Sequence, residues 1–96
     1  EFHSINDDGL GIDYNLKLNC LKKLFETHYI IHAHGNNGCG CIKSIPNVIE
    51  LTYVRKVNIG YNIEYNTNPL PDLMLDYPNI ENKPDINLNL YPFVSI

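Results

Sequence analysis

Three histidines, a pair of asparagines and two cysteines crowd into HYIIHAHGNNGCGC, residues 28–41, and a fourth histidine stands at His3. An imidazole can take or give a proton near neutral pH, and an asparagine amide can orient a substrate hydroxyl or carbonyl. His3, His32, His34, Asn36 and Asn37 are therefore the candidate catalytic residues for moving a proton on a small polar substrate. Two other readings compete for the same stretch. In one, His32 and His34 sit on a half-buried strand face and are satisfied by neighbours such as Glu50, while Gly35 to Gly38 makes a turn because Gly and Asn tolerate positive φ. In the other, His32, His34, Cys39 and Cys41 bind zinc or another soft metal. The short Cys-x-Cys and His-x-His spacings count against that site.

The elements that must position these residues can be read from periodicity. Residues 4–12, SINDDGLGI, are turn formers, and Asp13 can cap a helix. From Tyr14 to about Thr27, 100° steps place Tyr14, Leu18, Cys20, Leu21, Leu24 and Phe25 on one side, with Lys17 among them, and His28 falls at the helix C-terminus. A strand follows from Tyr29, with Tyr29, Ile31 and Ala33 alternating against Ile30, His32 and His34. After a glycine-rich loop, VIELTYVRK predicts a second strand with Ile49, Leu51 and Tyr53 opposite Val48, Glu50, Thr52 and Val54. Antiparallel pairing with symmetric loop closure sets His32 across from Glu50, although a long loop leaves the register open.

Five of the six prolines lie beyond residue 58. That composition predicts an extended tail draped over the body, with short strands near Ile63 and from Ile86 to Leu90 and a turn at Asp76 to Asn79. The division expected is an α/β body at 1–57 and a packed tail at 58–96.

A chain of 96 residues with net charge -4 is one domain at most and offers no basic footprint for nucleic acid. Its apolar runs are far shorter than the roughly 20 residues a membrane helix needs, so a soluble, cytoplasmic protein with no membrane partner is expected. An odd number of cysteines, with Cys20 inside the helical pattern, predicts a reducing compartment. Glu1-Phe2-His3 reads as the end of a strand that begins upstream, so the chain is expected to be a segment of a longer protein.

Strand end, helix, strand, loop and returning strand make a parallel βαβ unit with an antiparallel addition, and one helix is too few to cover both faces of such a sheet. The ordered set EFH, helix, HYIIHAHGNN, IPNVIELTYVRK, PLP and LDYPN resembles the C-terminal part of FkbM-like methyltransferases. The resemblance implies the trailing strands of a Rossmann-like, S-adenosylmethionine-dependent methyltransferase sheet, with O-methyl transfer to a sugar or small metabolite as the family's default. It implies that the cofactor is held by the upstream part of the same domain and that this segment alone binds none and is silent. Arg55 and Lys56 match the resembled pattern and could meet an anionic substrate. GNNGCG has no helix behind it and is not read as a nucleotide loop. The rival expectation is a small non-enzymatic module whose His, Asn and Cys loop recognises a partner or a metal.

Overall fold

The computed structural model describes residues 11–42, 45–60, 62–89 and 93–94. His3 and the strand end expected at residues 1–3 lie outside the described residues. The chain mixes helix and sheet. Helix α1 spans Gly11–Thr27, β1 His28–Gly35, β2 Cys41–Ile42, β3 Ile45–Pro46 and β4 Ile49–Arg55, followed by a short 3-10 turn at Lys56–Asn58. None of the described helices is long and apolar enough to cross a membrane.

Beyond Gly11, α1 contains neither Gly nor Pro, and Leu, Lys and Glu supply good helix formers. It stops where Thr27 meets the run His-Tyr-Ile-Ile, whose β-branched and aromatic side chains favour the pleat. The helix is already formed at Gly11, so Asp13 lies within its first turn and is not the cap expected. Leu18, Leu21 and Leu24 are half-buried, whereas Leu16, Cys20 and Phe25 are exposed. The covered part of the helix is narrower than the expected apolar side, from which Cys20 and Phe25 depart.

Strands β1 and β4 pair antiparallel, with Gly35 opposite Ile49, His34 opposite Glu50, Ala33 opposite Leu51 and His32 opposite Thr52. His34, not His32, therefore faces Glu50. The offset from symmetric closure is an even number of residues, so both histidines keep the face of Glu50. Between Ile30 and His32 the register shifts, leaving Ile31 as an unpaired bulge residue that is 62% exposed. The bulge turns the start of β1 over. Tyr29 pairs with Val54 on the face of Thr52 and Glu50, and Ile30 pairs with Tyr53 on the other, the reverse of unbroken alternation. Lys56 Nζ then stands 5.0 Å from the centre of the Tyr29 ring.

The segment between the strands is a small hairpin of its own. Cys41 pairs with Pro46 and Ile42 with Ile45, and Asn36 donates its N–H to Val48 O at 2.9 Å to close the base. Gly35 is buried beneath it. A Cβ there would lie 3.0 Å from Pro46 Cγ and 3.2 Å from Ile86 Cβ, so any larger residue would press on both side chains.

The core forms between one face of the β1–β4 pair and the tail. Ala33 and Ile49 from the strands and Leu70 and Leu88 from the tail are buried together, with Leu51, Ile86, Phe93 and Val94 packed against them. Leu88 donates its N–H to Leu70 O at 3.0 Å, and Leu70 donates to Asn89 Oδ1 at 2.6 Å. Neither strand expected in the tail forms among the described residues. Prolines remove ladder donors, and side-chain amides such as Asn66 and Asn89 satisfy the backbone instead. The described tail turns at Asp72 to Asp76 and again at Ile80 to Lys83, on either side of the position expected. Leu75 and Asp76 donate to Asp72 O at 3.1 and 2.8 Å, and Met74 donates to Asp72 Oδ1 at 2.8 Å, an Asx turn started by Pro71.

Candidate functional site

His32 and His34 are two residues apart on β1, so their rings share one face, and each meets a carboxylate from the tail. His32 Nε2 donates to Asp76 Oδ1 at 2.7 Å. Since an ionised carboxylate only accepts, the ring hydrogen sits on Nε2 and a neutral imidazole keeps its lone pair on Nδ1. Asp76 Oδ2 accepts the Asp72 N–H at 2.7 Å, which orients the carboxylate from its far side. Burial works against the ionised Asp76 carboxyl. The hydrogen bonds from His32 and Asp72 and the nearby charges of His32 and His34 outweigh it, so its pKa lies below the usual carboxylate range. The His32 side chain is 24% exposed and Asp76 7%, so the imidazole is open to solvent above a nearly covered acid.

His34 has a different setting. Its Nε2 donates to Asp85 at 2.9 Å (Oδ2) and 3.1 Å (Oδ1), and its Nδ1 lies 3.7 Å from Glu50 Oε2. Burial alone would lower its pKa, but the Asp85 hydrogen bond and the charges of Asp85, Asp76 and Glu50 raise it above the ordinary imidazole value. Glu50 in turn accepts from Asn79 Nδ2 at 3.3 Å. The ring is buried and contacted by acids on both sides. It clasps the tail to β1, and His32 is the more open of the two rings.

The asparagines shape the loop and hold the tail. Asn36 Oδ1 accepts the Gly38 N–H at 2.9 Å. Asn37 Oδ1 accepts the Ile80 N–H at 2.8 Å, while its Nδ2 hydrogens are shared among Ile80 O at 3.1 Å and the carbonyls of Lys83 and Pro84, each at 3.2 Å. Replacing Asn37 by Ala is expected to destabilise the tail segment 80–84 by about 1–3 kcal/mol, two or three modest net hydrogen bonds. Faster hydrogen exchange at the Ile80 amide, with little change at Leu51, is the measurement that checks it.

The structure thus brings His32, His34, Asn36 and Asn37 to one end of β1, and His3 lies outside the described residues. Sequence reasoning missed Asp76 and Asp85, which stand 44 and 51 residues from their imidazoles. The signal available was two acids inside Pro-rich, apolar stretches, LDYPN and KPDI. Among the described residues no group of three or more His, Cys, Asp or Glu side chains is arranged to hold a metal ion. Both histidines of the considered metal set are engaged by aspartates, while Cys39 and Cys41 are exposed. Around the first part of the glycine-rich turn the chain's own side chains take up the space. Pro46 and Ile86 fill the space beside Gly35, Ile80 fills the space beside Gly38, and the chain runs on into β2.

The Tyr53 hydroxyl is buried and has no hydrogen-bond partner among the described residues, and that burial pushes its pKa up. Its ring lies edge-on to His28, with centroids 6.2 Å apart. Thr27 Oγ1 and His28 Nδ1 are 2.8 Å apart, and His28, expected at the helix C-terminus, is the first residue of β1, opposite Arg55.

Compared with known proteins, the chain matches no family model, no curated protein and no solved structure.

Proposed function

We propose that the chain is the C-terminal portion of an FkbM-like, S-adenosylmethionine-dependent methyltransferase domain with a Rossmann-like sheet. In this reading His32 takes the proton from the hydroxyl of a sugar or small-metabolite acceptor. The observation that carries it is the His32–Asp76 pair, a 2.7 Å hydrogen bond that fixes the tautomer and leaves a quarter-exposed imidazole with a basic nitrogen. A carboxylate behind an imidazole also stabilises the imidazolium that proton uptake creates. The order helix, strand, antiparallel strand supports the same reading, as does the two-stranded sheet in which β1 pairs only with β4 among the described residues. A further strand of a larger sheet would complete the other edge of β1.

Because the turn at Gly35 to Gly38 is already filled, S-adenosylmethionine belongs, in this reading, to the upstream part of the domain in a cytoplasmic protein. The described residues supply the acceptor side. The non-enzymatic alternative, a module that recognises a partner, draws support from the engagement of His34 and Asn37 with the tail and not with open space.

Assay of the full protein with S-adenosylmethionine and a panel of hydroxylated acceptors separates the two. His32→Gln is expected to lower kcat by about 100-fold or more, the usual cost of losing a general base. Asp76→Asn should lower it less and shift the pH profile. Failure of the full protein to bind S-adenosylmethionine removes the enzyme reading, and full activity in His32→Gln removes His32 from it.

A further inference from the structure

Cys39-Gly40-Cys41 takes no part in the histidine clasp, and both of its thiols are free and exposed. Residues two apart have Cα atoms within about 7 Å even in extended chain. Gly40, at φ 77°, bends the backbone between them in a conformation open to glycine. The two Cα atoms are therefore at most little farther apart than the roughly 4.4–6.8 Å at which cysteine pairs are bridged.

Among the described residues the turn is held from the side of β3 and Asn47. Asn47 donates its N–H to Gly40 O at 3.0 Å and its Nδ2 hydrogen to Cys39 O at 3.1 Å. A Cβ placed on Gly40 would meet nothing nearer than Asn47 Nδ2 at 3.7 Å, so the turn has room to adjust. Two thiols without a third ligand make a poor metal site, and no such third group stands near among the described residues. A ring closed over one intervening residue constrains the unfolded chain very little, so it would add little stability. Being strained and exposed, it would sit at the labile end of the disulfide scale.

We propose that Cys39 and Cys41 form a reversible dithiol–disulfide couple that exchanges with low-molecular-weight disulfides of the glutathione type. One cysteine, as thiolate, attacks a sulfur of glutathione disulfide and expels one glutathione thiolate, which takes up the proton the cysteine lost. The second cysteine, as thiolate, attacks the protein-side sulfur of the mixed disulfide and expels the second glutathione. Two cysteine thiols are oxidised, and one glutathione disulfide is reduced to two thiols.

The test uses the chain carrying Cys20→Ser, equilibrated in glutathione buffers of stepped oxidised-to-reduced ratio, then acid-quenched, alkylated, digested and weighed. The peptide containing residues 39–41 is expected to pass from two alkyl groups to none, with the loss of two hydrogens. Adding Cys41→Ser, at an exposed position, is expected to leave a persistent glutathione adduct on Cys39, because the ring-closing thiol is gone. A peptide that stays doubly alkylated at every ratio overturns the proposal. So does one that accumulates glutathione adducts on the intact pair without closing the ring.

Discussion

Leu88→Ala is expected to destabilise the protein by about 2–5 kcal/mol, the range for emptying a well-packed leucine site. Leu88 is 1% exposed and packs with Ala33, Ile49 and Leu70 on the core face of the β1–β4 pair. Its backbone bond to Leu70 O survives the substitution, so the loss is that of transferred apolar area plus the cavity left behind. Small domains hold only about 5–15 kcal/mol in all. One tail residue thus carries a large share of the fold. Leu73→Ala, at a site 89% exposed on the same tail, should change stability by less than about 0.5 kcal/mol. Urea unfolding of both variants checks the pair. Equal midpoints would mean that the tail is not part of the core.

The second large effect belongs to the clasp. His34→Ala removes the imidazole from Asp85 and Glu50 and is expected to cost about 2–3 kcal/mol, chiefly because the Asp85 carboxylate stays largely covered without its partner. The Asp85 side chain is 13% exposed, and its Oδ1 still accepts the Ile86 N–H at 2.9 Å, which keeps the loss below that of a fully buried charge.

The pH dependence follows from the two shifts. His34 has a raised pKa in the fold, so its contribution is complete below the unfolded imidazole value, about 6.5, and is lost as pH rises through the folded value. Asp76 has a lowered pKa, so its contribution is complete above the unfolded carboxyl value, about 3.9, and is lost as pH falls through the folded value. Stability should therefore be greatest between about pH 4 and 6.5 and fall on both sides. His34→Gln should flatten the alkaline fall and Asp76→Asn the acid one. Thermal midpoints measured across pH report both arms, and an unchanged alkaline arm in His34→Gln would remove His34 as its source.

The helix, the two long strands and their antiparallel pairing were legible in the chain because each is a local pattern. The run of helix formers gives way at Thr27 to β-branched and aromatic residues, and Ile49, Leu51 and Tyr53 alternate against Glu50 and Thr52. The bulge at Ile31 was not legible. HYIIHAH alternates equally well without it, and only the pairing with β4 shows that one residue is extra. The tail was readable as extended and packed from its prolines. Its turn at Asp72 was missed because Asx bonding competes with several other Asp and Asn placements in the same stretch.

The candidate site divides in the same way. The residue types in HAHGNN announced proton chemistry, polar satisfaction or ligation, and nothing local distinguishes a buried imidazole from an accessible one. Contacts from Asp76 and Asp85, brought 44 and 51 residues along the chain, covered His34 among acids and left His32 open above its own. Backbone propensity and side-chain period are short-range properties, and the amino-acid order alone determines them. Which acid meets which base depends on how a proline-broken tail closes over a hairpin, and only the packed tertiary structure decides that.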